Sequence, residues 1–224
     1  MKKLMIALAL LIGFSSLAYA GGMSRRQWNS KLPDGKLVQM HETFTNPSAV
    51  TTSTSAYVGV KIATATLVAG TSTWTLALGD YSNSPFARNV VVRSTFSTGM
   101  ATTTFTGTLA IVGTNSRGQS VTENIAVSTI TATAGVVAYR SITSMTLTTT
   151  AISGASTDAG INIGYGALLG LANNIKSTSS VNKVIEAGSL TTTSTANATY
   201  DTIDFVTDPT GTNDYDVWYD CTLW

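Results

Sequence analysis

The segment from Thr106 to Val127, TGTLAIVGTNSRGQSVTENIAV, constrains the fold more than any other part of the chain. Leu109 and Ile111 alternate with small or polar residues, Asn115-Ser116-Arg117-Gly118 turns the chain, and Val121, Ile125 and Val127 resume the alternation. A period of two puts successive side chains on opposite faces of a strand. Gly in a polar turn admits the backbone angles a reversal needs. The segment is therefore predicted to be one long β-hairpin. It carries the marks of a scaffold and none of a reaction centre.

The rest of the chain repeats the message. Only 11% of its 224 residues are charged, against about 25% in ordinary soluble domains. Thr, Ser, Gly and Ala fill the deficit, and β-branched Thr suits a pleated, half-buried surface. Helix formers such as Glu and Lys are scarce, so long solvent-facing helices are not expected. Strand-like segments follow one another: Leu37 to Phe44, Ile62 to Val68, the alternating Trp74, Leu76 and Leu78, and Ala101 to Thr114. Val90-Val91-Val92 reads as a strand covered on both faces. In Val136 to Thr149, Tyr139, Met145 and Leu147 share one parity and Ile142 breaks it, which predicts a bulge. Ala167 to Asn173 (ALLGLAN) is the one predicted helical turn after the N-terminal segment. Val184-Ile185 and Ser189 to Thr193 read as short strands. From Asp214 to Trp224, Tyr215, Val217, Tyr219, Cys221 and Leu223 fall on one face and Asp214, Asp216, Trp218, Asp220, Thr222 and Trp224 on the other. The pattern predicts an all-β antiparallel sandwich of jelly-roll or immunoglobulin-like style, with little helix apart from the N-terminal apolar segment.

Three regions are expected: residues 1–20, a signal-peptide-like apolar segment; 21–55, a polar arm and linker; and 56–224, the β-sandwich domain. Lys2-Lys3, an apolar run to Phe14 and Ala18-Tyr19-Ala20 follow the order of a secretory signal with cleavage after Ala20. An uncleaved anchor or a buried N-terminal helix are the other readings of the same run. The net charge of +1 shows no attraction to nucleic acid, and the basic residues are scattered. Nine Lys/Arg face four Asp/Glu from 21 to 150, and two face eight from 151 to 224. Such opposite signs could orient subunits head to tail, or could simply mark two faces of one domain.

The residues that carry chemistry are few. His41 is the one histidine and Cys221 the one cysteine. A structural zinc site needs about four N/S ligands, so one chain cannot supply it, and no disulfide can close within it. A Ser-His-Asp triad would need His41 as base, with Glu42 beside it facing the other way along a strand. Glu42, Glu123 and Glu186 offer no recognisable pair for glycoside hydrolysis. Glu123 is expected on the polar face of the hairpin, with Arg117 or Arg140 as partner. Asp208, Asn213, Asp214 and Asp216 cluster at a Pro/Gly turn and are a weak calcium candidate, since Ca²⁺ takes oxygen ligands. The alternative is a solvated acidic loop. No catalytic residue, metal or cofactor is expected. Trp218 and Trp224 suit a subunit contact, sugar stacking or ordinary core packing.

Four stretches carry a family resemblance: Arg88-Asn89-Val90-Val91-Val92, Gly113 to Glu123 (GTNSRGQSVTE), Tyr139 to Leu147 (YRSITSMTL) and Ile163 to Leu171 (IGYGALLGL). Their order and style, with the closing Asp214-Tyr215-Asp216-Val217-Trp218-Tyr219, resemble tailed-bacteriophage virion structural proteins, the small β-sandwich proteins of heads, tails and decoration layers. The resemblance implies a non-catalytic capsid or tail decoration or accessory protein, located in the virion. It also implies association with itself or with other virion structural proteins, as a homo-oligomer. The expected contact residues are Arg25, Arg26 and Trp28 of the arm with Trp218 and Trp224 of the last strand. The alternative is a secreted bacterial surface or adhesion module released after Ala20. A secreted carbohydrate-binding protein, with glycan as partner, is a third.

Overall fold

The computed structural model describes residues 37–49, 72–75, 84–95, 104–128, 131–153, 160–191, 194–206 and 208–222. Its first strands are β1 (Leu37–Phe44), β2 (Ser72–Thr75), β3 (Arg88–Thr95), β4 (Thr104–Thr114), β5 (Ser120–Ser128) and β6 (Thr133–Tyr139). They are followed by β7 (Ser141–Ser153), β8 (Gly160–Gly170), β9 (Val181–Glu186), β10 (Ser189–Thr191), β11 (Thr195–Asn197), β12 (Thr202–Asp204) and β13 (Tyr215–Thr222). The strand pairs are antiparallel, and the helical element among the described residues is a 3-10 turn at Thr178–Ser180. The all-β antiparallel sandwich is therefore present. Among the described residues it is spread over three sheets and two cores: β1-β13-β9-β10, β11-β12-β8-β3-β6 and β2-β7-β4-β5.

The first core fills the space between the β2-β7-β4-β5 sheet and the β8-β3-β6 part of the five-stranded sheet, with Val90, Leu109, Ile111, Met145, Leu147 and Ile163 fully buried. The second lies under the β1-β13 sheet and includes Phe44, Leu169, Ile203, Phe205, Tyr215 and Tyr219. Each fully buried side chain of this size contributes about 1.5–3 kcal/mol. β8 serves both cores, Ile161 and Ile163 in the first and Leu169 in the second.

The predicted hairpin is β4 and β5, paired from Thr106↔Ser128 to Thr114↔Ser120. Asn115 Oδ1 accepts the N–H groups of Arg117 and Gln119 at 3.0 Å each, and Gly118 takes a φ of 79°. Its tip does more than reverse the chain. Arg117 Nη2 lies 2.8 Å from Asp201 Oδ2, and the Ser116 hydroxyl donates to the Leu171 carbonyl. The tip thus docks on the loops at the edge of the second core.

Several expectations need correction. ALLGLAN is not a helical turn: Ala167 to Gly170 belong to β8, where Leu169 pairs with Arg88 on one side and Ile203 on the other. Pairing on both edges overrides the local helix preference of Ala and Leu. The segment from Val136 to Thr149 is two strands. Arg140 is a corner, its N–H donating to Thr114 O at 2.7 Å, and the chain passes there from the five-stranded sheet to a four-stranded one. The bulge predicted around Ile142 is real, since the register passes from Val112↔Ser144 to Gly113↔Ile142 and leaves Thr143 unpaired. The strand expected over Leu37 to Phe44 is present as β1, which joins the β13 sheet with Met40, Glu42 and Phe44 buried. Residues 56–71 and 76–83, where further strands were expected, lie outside the described residues.

Glu123 also differs from expectation. Arg117 is committed to Asp201, and Arg140 Nη1 donates to Ser84 O at 2.8 Å. The Glu123 carboxylate instead accepts the N–H groups of Val136 at 2.5 Å and Val137 at 3.4 Å. It therefore ties β5 to β6, each the edge of its sheet among the described residues. Burial outweighs these two amides and pushes its pKa up. The folded state then binds this proton more tightly than the unfolded chain does. The ionised group costs stability at neutral pH, and that cost is relieved as the pH falls through the folded pKa. The stability of the wild type relative to Glu123→Gln is accordingly expected to rise between pH 7 and about pH 5. Paired urea titrations at the two pH values check this, and a difference that stays flat or falls counts against it.

Candidate functional site

The β13 alternation sorts this sheet into two faces. Tyr215, Val217, Tyr219 and Cys221 are fully buried in the second core, and Asp216, Trp218 and Asp220 face outward, half-buried. On β1 the parity is reversed along the register, with His41 opposite Trp218 and Thr43 opposite Asp216. On the other side of β13, Lys183 of β9 is opposite Trp218. These three strands build one cross-strand row on the outer face: His41, Trp218, Lys183.

The row is tightly arranged. The His41 ring stacks on the indole with centroids 4.2 Å apart and planes 6° from parallel. Lys183 Nζ lies 4.6 Å from the indole centroid as a cation–π partner. Asp216 Oδ1 accepts the Thr43 hydroxyl at 2.5 Å and lies 3.0 Å from His41 Nε2. With 41% of the His41 and 29% of the Asp216 side chain exposed, the pair is open to solvent and contributes at most about 1 kcal/mol. The imidazole is not set up as the base of a triad. There the hydroxyl must bond to the ring and the carboxylate to the ring's other nitrogen, whereas here hydroxyl and ring share one carboxylate oxygen. The neighbours of Trp218 flank it from both adjacent strands, so a sugar stacking on either indole face would have to displace His41 or Lys183.

The acidic turn residues separate onto different partners. Asp214 Oδ1 accepts the Asn46 N–H at 3.0 Å, and Asp216 faces β1. Asn213 bonds the Tyr215 hydroxyl, which also donates to the Asp208 backbone carbonyl at 3.2 Å. The charge of Asp208 adds to burial in pushing the Asp204 carboxyl up. Among the described residues no three His, Cys, Asp or Glu side chains are grouped to hold a metal. Arg25, Arg26, Trp28 and Trp224 lie outside the described residues.

Behind the face sits a buried polar group that joins Glu42, expected to face away from His41, to Tyr219 and to the Ala172–Asn173 segment. Glu42 Oε2 accepts the Tyr219 hydroxyl and the Ala172 N–H, both at 3.0 Å, and Asn173 Nδ2 donates to the Tyr219 oxygen at 3.3 Å. Burial first, and then the Glu42 charge, push the Tyr219 pKa up, so the phenol stays protonated as a donor. Burial likewise pushes the Cys221 thiol up, away from the thiolate that reacts. The even parity shared by Met40, Glu42 and Phe44 was the available signal that Glu42 points inward.

Comparison of the chain with protein-family models, with curated proteins and with solved structures gives no match in any of the three.

Proposed function

We propose that this chain is a non-catalytic structural protein of a viral particle, a capsid or tail decoration or accessory subunit that works by association. The observation that carries the reading is the outer face of the β1-β13-β9 sheet. It presents a half-buried tryptophan held rigid between His41 and Lys183, while Glu42, Asp201 and Arg88 are occupied by bonds that hold the fold. A rigid aromatic with a polar surround is the usual anchor of a protein contact. The viral assignment rests on the resemblance of the Arg88–Leu171 stretches and the last strand to virion proteins. The arm from Gly21 to Lys36, with Arg25, Arg26 and Trp28, is the second contact element.

Light scattering on the full chain tests this. The wild type is expected to self-associate. Trp218→Ala is expected to weaken association by about 2 kcal/mol, roughly thirty-fold, and deletion of Gly21–Lys36 to abolish it, both with the wild-type β circular dichroism. A monomeric wild type that also fails to join particles would sink the reading. The mass of the mature N-terminus separates it from a secreted surface module, with Met1 favouring the virion and Gly21 favouring export.

A further inference from the structure

We propose that β1 is an exchangeable strand, and that copies of this chain associate by placing β1 of one copy in the slot beside β13 of another. The idea rests on the association reading and adds a strand-level contact to the one made by the Trp218 face. β1 pairs with β13 over eight residues, from Leu37↔Thr222 to Phe44↔Tyr215, so it joins opposite ends of the chain. It brings a complete set of contacts to the second core. Phe44 is 1% exposed and meets Phe86 and Phe205 edge-on, and Glu42 takes the Tyr219 hydroxyl and the Ala172 N–H. All of these contacts lie between the strand and its slot. The β1 of a second copy reproduces every one of them, which is the condition for strand exchange.

The turn leaving β1 argues for exchange. Asn46 has a φ of 45° and immediately precedes Pro47. Asn tolerates positive φ better than most residues, but a following proline pushes the residue before it toward extended backbone. The closed turn holds Asn46 away from that preference, with its N–H pinned by the Asp214 carboxylate. A chain that runs on in extended conformation to a neighbour releases the strain, at the cost of the Asn46–Asp214 hydrogen bond and of the Arg88 bond to the Ser48 carbonyl. Insertion within one chain keeps the advantage of high effective concentration, so exchange grows with protein concentration, the condition inside an assembling particle.

The test uses Gln39 and Asp220, which are register partners on the outer face. Full-length Gln39→Cys and Asp220→Cys chains, each carrying Cys221→Ala, are mixed at high concentration and oxidised. The expected result is a disulfide-linked heterodimer on a non-reducing gel. A double variant that closes only within its own chain, while the mixed single variants give no cross-link, overturns the proposal. Pro47→Ala provides a second readout, since easing the closed turn is expected to shift the wild-type population several-fold toward monomer. An unchanged ratio counts against exchange. A chain that associates through Trp218 yet cross-links only within itself removes strand exchange and leaves the association reading standing.

Discussion

Asn89→Ala is expected to lower the unfolding free energy by about 3 kcal/mol, with no change in any exposed contact. Asn89 is 1% exposed and stands where β3 loses register with both of its neighbours. Toward β6 the pairing passes from Asn89↔Ala138 to Val91↔Ala134, and toward β8 from Arg88↔Leu169 to Val90↔Tyr165, so each neighbour carries extra residues. The side-chain amide repairs both gaps. Nδ2 donates to Gly135 O at 2.6 Å, and Oδ1 accepts the Leu168 N–H at 3.0 Å. Truncation leaves a buried carbonyl and a partly buried N–H without their partner, at about 1–3 kcal/mol each, with the N–H at the lower end. Gly166 is part of the same device, since a Cβ there would collide with the Asn89 amide. Gly166→Ala alone is therefore expected to be destabilising, and the Asn89→Ala/Gly166→Ala pair to cost clearly less than the sum, because the methyl enters the space the amide leaves. Urea denaturation of the four proteins checks this, and strict additivity contradicts the proposed packing.

Asp201→Ala is expected to cost a similar amount, about 3 kcal/mol, by undocking the hairpin tip. Asp201 Oδ2 holds Arg117 at 2.8 Å, and Oδ1 accepts the Ile175 N–H at 2.9 Å. The Leu171 N–H donates to its backbone carbonyl at 2.7 Å. Removing one partner of a largely buried pair leaves the other charge uncompensated, at up to about 3–5 kcal/mol when burial is complete. Arg117 keeps 21% of its side chain exposed, so the lower end applies. The backbone adds to the cost: Asp201 has a φ of 50°, a region Asp and Asn tolerate better than Ala. Asp201→Asn retains that conformation and the bond to Ile175 and is expected to lose only about half as much. A double-mutant cycle with Arg117→Ala should return a coupling of about 1–3 kcal/mol. A coupling near zero would remove the tip from the forces joining the two cores.

Much of this architecture was legible in the chain. The Thr106–Val127 hairpin, the inward row Tyr215, Val217, Tyr219 and Cys221, and the doubly covered Val90-Val91-Val92 strand all follow from alternation and turn residues. The Ile142 parity break marked a real bulge. ALLGLAN misled because four residues of helix-compatible sequence say nothing about a pairing partner on each side. Glu123 misled because the N–H groups it binds come from a strand whose position depends on the sandwich. On the candidate face, Trp218 was marked by its outward parity. The flanking His41 and Lys183 were not, because one is 177 residues and the other 35 residues distant in sequence, and only sheet order makes them neighbours.

The division has a physical basis. Strand periodicity, positive-φ turns and a shortage of helix formers act over a few consecutive residues, so the sequence alone establishes which segments are strands and which side of each is apolar. Strand order, the split into two cores, the amide of Asn89 spanning two bulges and the docking of Arg117 on Asp201 depend on contacts between distant segments. Their energies exist only once loops have closed and water has been excluded, and many sheet orders share the same local alternation. The hairpin that reads in the sequence as a generic scaffold element becomes, through its tip, the clasp between the two cores.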